Sequence, residues 1–201
     1  MASQLPPEWS LSADHAFRIC SRAWFFWAVW WMVMAFFSKS TRRRESVLQR
    51  LEHLIPAVIA FALVFGDDRS FPALSRVIFP DQPVLMWICV VATLAGLLFS
   101  VWARLALGSN WSGAVTIKTG HQLIRRGPYR FIRHPIYTGM LTALLGTAIT
   151  RQLLAGILGF FIALFAHYRK ARREELFLSQ EFGDAFVEHR QHTGMFLPRF
   201  S

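Results

Sequence analysis

The run 84-VLMWICVVATLAGLLFSVWARLAL-107 constrains this chain more than any other feature. A helix needs roughly 20 apolar residues to cross the hydrocarbon of a bilayer, and this run reaches that length unaided. Four further apolar segments accompany it: 23-AWFFWAVWWMVMAFF-37, 54-LIPAVIAFALVFG-66, Pro135 to Ile149, and Leu153 to Ala166. These are shorter, so they must borrow flanking residues, tilt, or thin the bilayer. The expected fold is an all-α integral membrane protein of about five transmembrane helices, with a C-terminal helical hairpin and an amphipathic cytosolic tail helix. Three spans would occupy 1–107, and 108–201 would hold a loop, the hairpin and the tail helix.

Charge sets the orientation. The chain carries a net +10, and the basic residues come in bursts beside apolar runs. That pattern favours attraction to anionic lipid over nucleic-acid binding, because no aromatic-interleaved basic groove is present. The link 39-KSTRRRESVLQR-50 holds five basic residues, and 108–134 holds Lys118, Arg125, Arg126, Arg130 and Arg133 with no acid. Basic loops prefer the cytoplasm. Five spans then put the N-terminus outside and both the 108–134 loop and the tail inside. Glu8 and Asp14 before the first run argue against a cleaved signal. Cys20 and Cys89 are too few and too distant for a disulfide framework or a zinc set and read as buried small hydrophobes.

Only Thr150-Arg151-Gln152 separates the last two runs, so they form an antiparallel hairpin. Gly139, Gly146, Gly156 and Gly159 would let that pair approach closely. The tail 169-RKARREELFLSQEFGDAFVEHR-190 reads as a helix, with a possible break at Gly183 and an apolar stripe of Leu176, Phe177, Phe182, Phe186 and Val187.

The chemistry concentrates in 126-RGPYRFIRHPIYTGML-141. Gly127-Pro128 marks a turn, and Pro135 restricts His134 to extended backbone and suits the first turn of a helix. His134 should therefore stand at the positive end of the fourth helix, where free N–H groups favour an anion or polar ligand. A single Arg or Tyr there is an ordinary interface anchor. Arg130, Arg133, His134, Tyr137 and Gly139 together are not. His189 and His192 lack further ligands, so a metal is not expected. His15, His53 and His167 read as interfacial polar groups, and Trp24, Trp27, Trp30 and Trp31 as packing residues.

Three segments carry a resemblance: 104-RLALGSNWSGAV-115, 120-GHQLIRRGPYRFIRHPIYTGML-141 and 174-EELFLSQEFGDAFVEHRQHTGMFLP-198. Together they resemble the isoprenylcysteine carboxyl methyltransferases and the related membrane phospholipid methyltransferases, over about the last hundred residues. The resemblance implies a multi-span bundle that binds S-adenosylmethionine in a cytosol-facing pocket closed by the tail. The membrane would be a bacterial inner membrane or a eukaryotic endomembrane. A lipophilic, prenylcysteine-type substrate would enter from the bilayer among the membrane lipids. It maps cofactor contacts onto His121, Leu123, Arg133, His134, Tyr137, Gly139, Glu174, Glu175, His189 and Pro198. Arg133 and Arg173 become candidates for orienting the methyl acceptor. The tail departs from the family pattern where Phe186 and His189 stand in place of tyrosines.

The physics agrees with methyl transfer. A sulfonium and a carboxylate lose charge as they react, so a dry site favours the reaction, and the protein mainly aligns the two. An arginine can hold the carboxylate, and Glu174 or Glu175 can hold the cofactor's ammonium or ribose hydroxyls. Competing readings are a phospholipid or small-amphiphile methyltransferase, an NADPH-dependent sterol-type reductase, and a non-enzymatic membrane scaffold. The acid pair at 174–175 favours methyl transfer over the reductase.

Overall fold

A computed structural model describes residues 10–37, 41–44, 46–108, 111, 116–118 and 123–199. Among these residues the order is α1 (Ala13–Ala35), β1 (Thr41–Arg44), α2 (Val47–Phe65), α3 (Pro83–Leu107), β2 (Thr116–Lys118), α4 (Pro135–Thr150), α5 (Leu154–Phe182) and α6 (Asp184–His192). Helices carry the fold. The one departure from an all-α expectation is a short antiparallel ribbon in which Thr41 pairs with Lys118 and Arg44 with Thr116.

Local chemistry explains where the helices start and stop. The Ser12 hydroxyl caps α1 by accepting from His15 N at 3.4 Å, and Asp14 sits in the favourable first turn. Helix α1 thus begins well ahead of its apolar run. Proline opens both α3 and α4, where the missing N–H costs nothing. Gly108, at φ 60°, ends α3. Helix α2 runs through Pro56 without breaking.

The tail differs from its expectation. A fifth span followed by a separate amphipathic helix was expected, but α5 is one helix of 29 residues. Neither Gly nor Pro occurs between Gly159 and Gly183 to stop it. Its apolar half ends near Ala166, and a polar extension continues to Phe182. The break falls at Gly183, whose φ of 52° is open to glycine. That break resets the helical phase and splits the expected apolar stripe. Phe186 is buried, whereas Leu176 and Val187 are exposed.

The two ends of the bundle are separately tied. At one end, Ala13 N donates to Asp81 Oδ1 at 2.9 Å, Ile78 N to Gln152 O at 2.7 Å, and Arg151 Nη2 to Gly66 O at 2.7 Å. At the other end, Arg104 is buried and donates to Met34 O at 2.8 Å and Gly108 O at 2.6 Å, under the ring of Trp111. The β1–β2 ribbon joins the two basic links at that same end.

Glycines set the helix crossings, though not where the sequence placed them. A Cβ at Gly139 would lie 2.5 Å from Gly96 O, and one at Gly96 would lie 2.5 Å from Gly139 O. Gly146 likewise meets Cys89 O and the Thr93 hydroxyl at 2.6 Å. These glycines seat α4 on α3. Gly159 faces Ala60 O of α2, and Gly156 alone of the four serves the α4–α5 contact, against Ala148 O. The three-residue link still forces α4 and α5 to be neighbours, but each packs more closely on an earlier helix.

The exterior of the bundle is apolar, and the polar groups inside it are paired with one another. Inside, Trp24 Nε1 donates to Thr147 Oγ1 at 3.0 Å, Trp27 Nε1 to Ser100 Oγ at 2.8 Å, and Thr93 Oγ1 to Ala143 O at 3.2 Å. Outside stand Phe26, Val58, Leu98, Phe161 and Phe165. An apolar exterior with internally satisfied polar groups is what a bilayer requires. Two helices, α3 and α5, are long and apolar enough to cross a membrane, and α4 and Leu51–Phe65 are shorter apolar helices. Cys20 and Cys89 are both buried and free, as expected.

The reciprocal glycine contact has a direct consequence. Gly96→Val should push backbone against backbone and lower stability by about 1–3 kcal/mol. A drop in melting temperature in detergent, with little change for a valine at exposed Leu98, would be the expected readout.

Candidate active site

The segment entering α4 is folded by its own glycine and prolines. Gly127, at φ 60°, opens a short turn over Gly127–Arg130, and Pro128 and Tyr129 are buried beneath it. His134 then takes the N-cap position with φ −123° and ψ 57°, immediately before Pro135. The chain beyond α6 returns to lie beside this segment. Gly194 N donates to Phe131 O at 3.1 Å, Arg133 N to Gly194 O at 2.9 Å, and His134 N to Met195 O at 3.1 Å. Thr138 Oγ1 donates to Phe196 O at 2.7 Å. The N–H groups of Arg133 and His134, just ahead of α4, are thus occupied by tail carbonyls.

Side chains join the same segment to the polar extension of α5. Arg133 Nε donates to Glu175 Oε1 at 2.7 Å, and its Nη1 donates to the carbonyls of Thr193 and Arg190. His134 lies between the two acids, with Nδ1 3.3 Å from Glu174 Oε2 and Nε2 3.4 Å from Glu175 Oε1. Tyr137 donates its hydroxyl to Glu174 Oε1 at 2.6 Å. The Tyr137 ring stacks on His134 at 5.6 Å and takes the edge of His167 at 5.1 Å. The result is one chain of contacts, Arg133–Glu175–His134–Glu174–Tyr137, with two acids facing two basic groups.

Burial alone would raise the Glu175 carboxyl pKa, but His134 and Arg133 outweigh it and hold the group at about 2. Burial opposes protonation of His134 as well, yet its bonds to Glu174 and Glu175 raise its pKa above the ordinary imidazole value. Glu174 is also lowered; His134, Lys170 and Tyr137 overcome its burial. The two acids differ in access. The Glu175 side chain is 6% exposed and paired with Arg133 and His134, whereas that of Glu174 is 22% exposed.

The other sequence candidates are distributed more widely. Arg173 pairs with Glu52 of α2, which also takes Arg169 at 3.0 Å. Gly139 faces α3. Leu123 is partly buried, Pro198 is exposed, and His121 lies outside the described residues. His189 is buried but lines a separate recess with Arg125, Arg130, Glu188, His192 and Thr193. Sequence reasoning missed Lys170, whose ammonium lies 5.5 Å over the Tyr137 ring. Its place one helical turn before Glu174 was the available signal. It also missed Thr138, Thr193 and Phe196, whose roles depend on backbone carbonyls that no motif records. Among the described residues no group of three or more potential metal ligands occurs.

The donor set suits a cationic, hydroxyl-rich ligand. It offers the partly exposed Glu174 carboxylate beside the rings of Tyr137, His134 and Phe196. Carboxylates and aromatic faces attract cations.

Residues 87–180 match the model of the isoprenylcysteine carboxyl methyltransferase family. A probable protein-S-isoprenylcysteine O-methyltransferase of Oryza sativa subsp. indica is 25% identical over 169 residues, covering 82% of this chain and 86% of that protein. The protein-S-isoprenylcysteine O-methyltransferase of Schizosaccharomyces pombe is 28% identical over 99 residues, covering 48% of this chain and 42% of its own. Among solved structures, a eukaryotic intramembrane Ras methyltransferase of the isoprenylcysteine carboxyl type superposes with a TM-score of 0.52 at 27% identity. The match covers 73% of this chain and about half, 52%, of that one.

The depressed Glu175 carboxyl makes a pH test direct. Its folded pKa lies below the unfolded value of about 4.3, so its contribution to stability is present above that pH and is lost as pH falls toward 2. Melting in detergent across pH 2–6 should show this loss in the native chain and a flatter profile in Glu175→Gln. At neutral pH that variant should be destabilised by roughly 3–5 kcal/mol, because Arg133 and His134 lose their buried counter-charge.

Proposed function

We propose that this chain, a member of the isoprenylcysteine carboxyl methyltransferase family, is an integral membrane methyltransferase acting on the carboxylate of a lipophilic prenylcysteine-like acceptor, with S-adenosylmethionine as donor. The observation that carries this reading is the junction where Arg133, His134 and Tyr137 meet Glu174 and Glu175. Two segments about 40 residues apart in sequence are brought together there.

The cofactor, when bound, supplies a methyl group on a sulfonium centre. The protein residues supply binding, alignment and exclusion of water. Glu174 is the acid assigned to the ligand, because part of its carboxylate is open and Tyr137 fixes its orientation. His134 stands between the two acids, and its ring stacks on Tyr137. Glu175 and Arg133 act as a clamp: their bonds hold the α5 extension and the returning tail over the entry to α4. That clamp favours Arg133 as a positioning residue over an acceptor anchor, and the Glu52 pair draws Arg173 in a similar way. Lys170, beside Tyr137 and Glu174, is the cation placed nearest to meet an acceptor carboxylate.

A dry site is appropriate for this chemistry, since opposite charges are consumed as the methyl moves. The apolar exterior of the helices gives a lipophilic acceptor a lateral approach, and the basic links 39–50 and 108–134 support a cytosolic catalytic face.

Transfer of labelled methyl from S-adenosylmethionine should modify a farnesylated cysteine acid and leave its amide and phosphatidylethanolamine unlabelled. Labelling of phosphatidylethanolamine alone would instead assign the acceptor to phospholipid. Tyr137→Phe removes one hydrogen bond to Glu174, worth about 1 kcal/mol. It should weaken S-adenosylhomocysteine binding several-fold in calorimetry, and Glu174→Gln should weaken it further.

A further inference from the structure

The recess beside the junction shares no lining residue with His134, Tyr137, Glu174 or Glu175. It is an open recess of about 220 Å³ between the Gly127–Arg130 turn and α6. Arg125, Arg130, His189 and His192 line it against one acid, Glu188. That acid is already engaged by Arg125 Nη1 at 3.1 Å, and Arg125 also donates to Ala185 O. Arg130 makes no ion pair among the described residues and rests over the Phe131 ring at 5.6 Å.

His189 is only 7% exposed, and its ring lines the recess. Burial, together with Arg125 and Arg133, keeps it below the ordinary imidazole pKa. The recess therefore has an excess of basic over acidic side chains and an imidazole in its wall. An anion would compensate that charge through charge-assisted bonds.

We propose that this recess binds the phosphate of an anionic membrane lipid. The surroundings select a lipid over a free ion. Phe131, Val187 and Leu197 are exposed at 41%, 47% and 75%. Phe131 and Val187 adjoin the lining residues Arg130 and Glu188 in sequence, and the tail that carries Leu197 is hydrogen-bonded to Phe131 O. Apolar surface beside a basic recess at a membrane boundary matches a headgroup with its acyl chains. Arg125 and Arg130 would hold the phosphate oxygens, with His189 donating from the recess wall.

The test is retention of lipid by the delipidated full chain in detergent, read by native mass spectrometry. Phosphatidylglycerol should be retained at least fivefold over phosphatidylcholine, and Arg130→Gln should abolish the preference without lowering the melting temperature. His189→Gln should reduce it, and Arg69→Gln, an exposed arginine at the opposite end of the bundle, should not. Equal retention of both lipids, or an equal loss in the Arg69 variant, would overturn the proposal. Protection by inorganic phosphate equal to that by phosphatidylglycerol would assign the recess to a free ion and overturn the lipid source. Displacement of phosphatidylglycerol by farnesylated cysteine acid would assign it to the methyl acceptor and equally overturn it. None of these results depends on whether the methyl-transfer assay succeeds.

Discussion

The buried contact chain from Arg133 through Glu175, His134 and Glu174 to Tyr137 is the interaction on which the polar half of this protein depends. Buried charges are costly unless paired, and here each acid faces a basic group. Glu175 is the more buried of the two, with its side chain 6% exposed against 22% for Glu174. The same charges fix the tail: Arg133 reaches from the acid pair to carbonyls on the returning strand, so the site and its cover are one network.

The membrane half follows a different rule. Its interior is knit by small residues and by Trp, Ser and Thr hydrogen bonds, since lipid provides no hydrophobic drive between helices. The α3–α4 crossing, with Gly96 and Gly139 in reciprocal contact, positions the start of α4, because Gly139 lies only five residues beyond His134. Rigidity at that crossing is what allows an imidazole to sit between two carboxylates on another helix. Gly139 thus bears on the site through packing: an error of a few tenths of an ångström there would be transmitted to His134.

Much of this was legible in the sequence, for identifiable reasons. Helix α3 announced itself by length, and Pro135 fixed the start of α4, because both signals are local. The pairing of the 126–141 stretch with Glu174-Glu175 was legible only through the family resemblance; nothing in their spacing brings them together. The glycine partners were misjudged because closeness in sequence was taken for closeness in space. The single helix α5 was missed because the change from apolar to polar at Ala166 looks like a boundary, whereas backbone continuity depends on helix breakers, and there are none. The β1–β2 ribbon and the occupied N–H groups at His134 depend on main-chain geometry that side-chain patterns do not encode.

Both acids are carried by the polar extension of α5. Continuity from Leu154 to Phe182 makes Glu174 and Glu175 a rigid projection of a membrane helix, so their height above the bilayer is set by the apolar half that anchors it. Ion pairs from Arg169 and Arg173 to Glu52 brace this projection against α2, on contacts separate from the junction. Exposed ion pairs contribute little individually, but bracing a lever requires resistance to bending more than a large energy. In the proposed reaction a lipophilic acceptor in the bilayer and a polar donor above it would have to meet at one depth. A stiff helix crossing that boundary, clamped at Glu175 and braced at Arg173, is a physical means of keeping that depth constant.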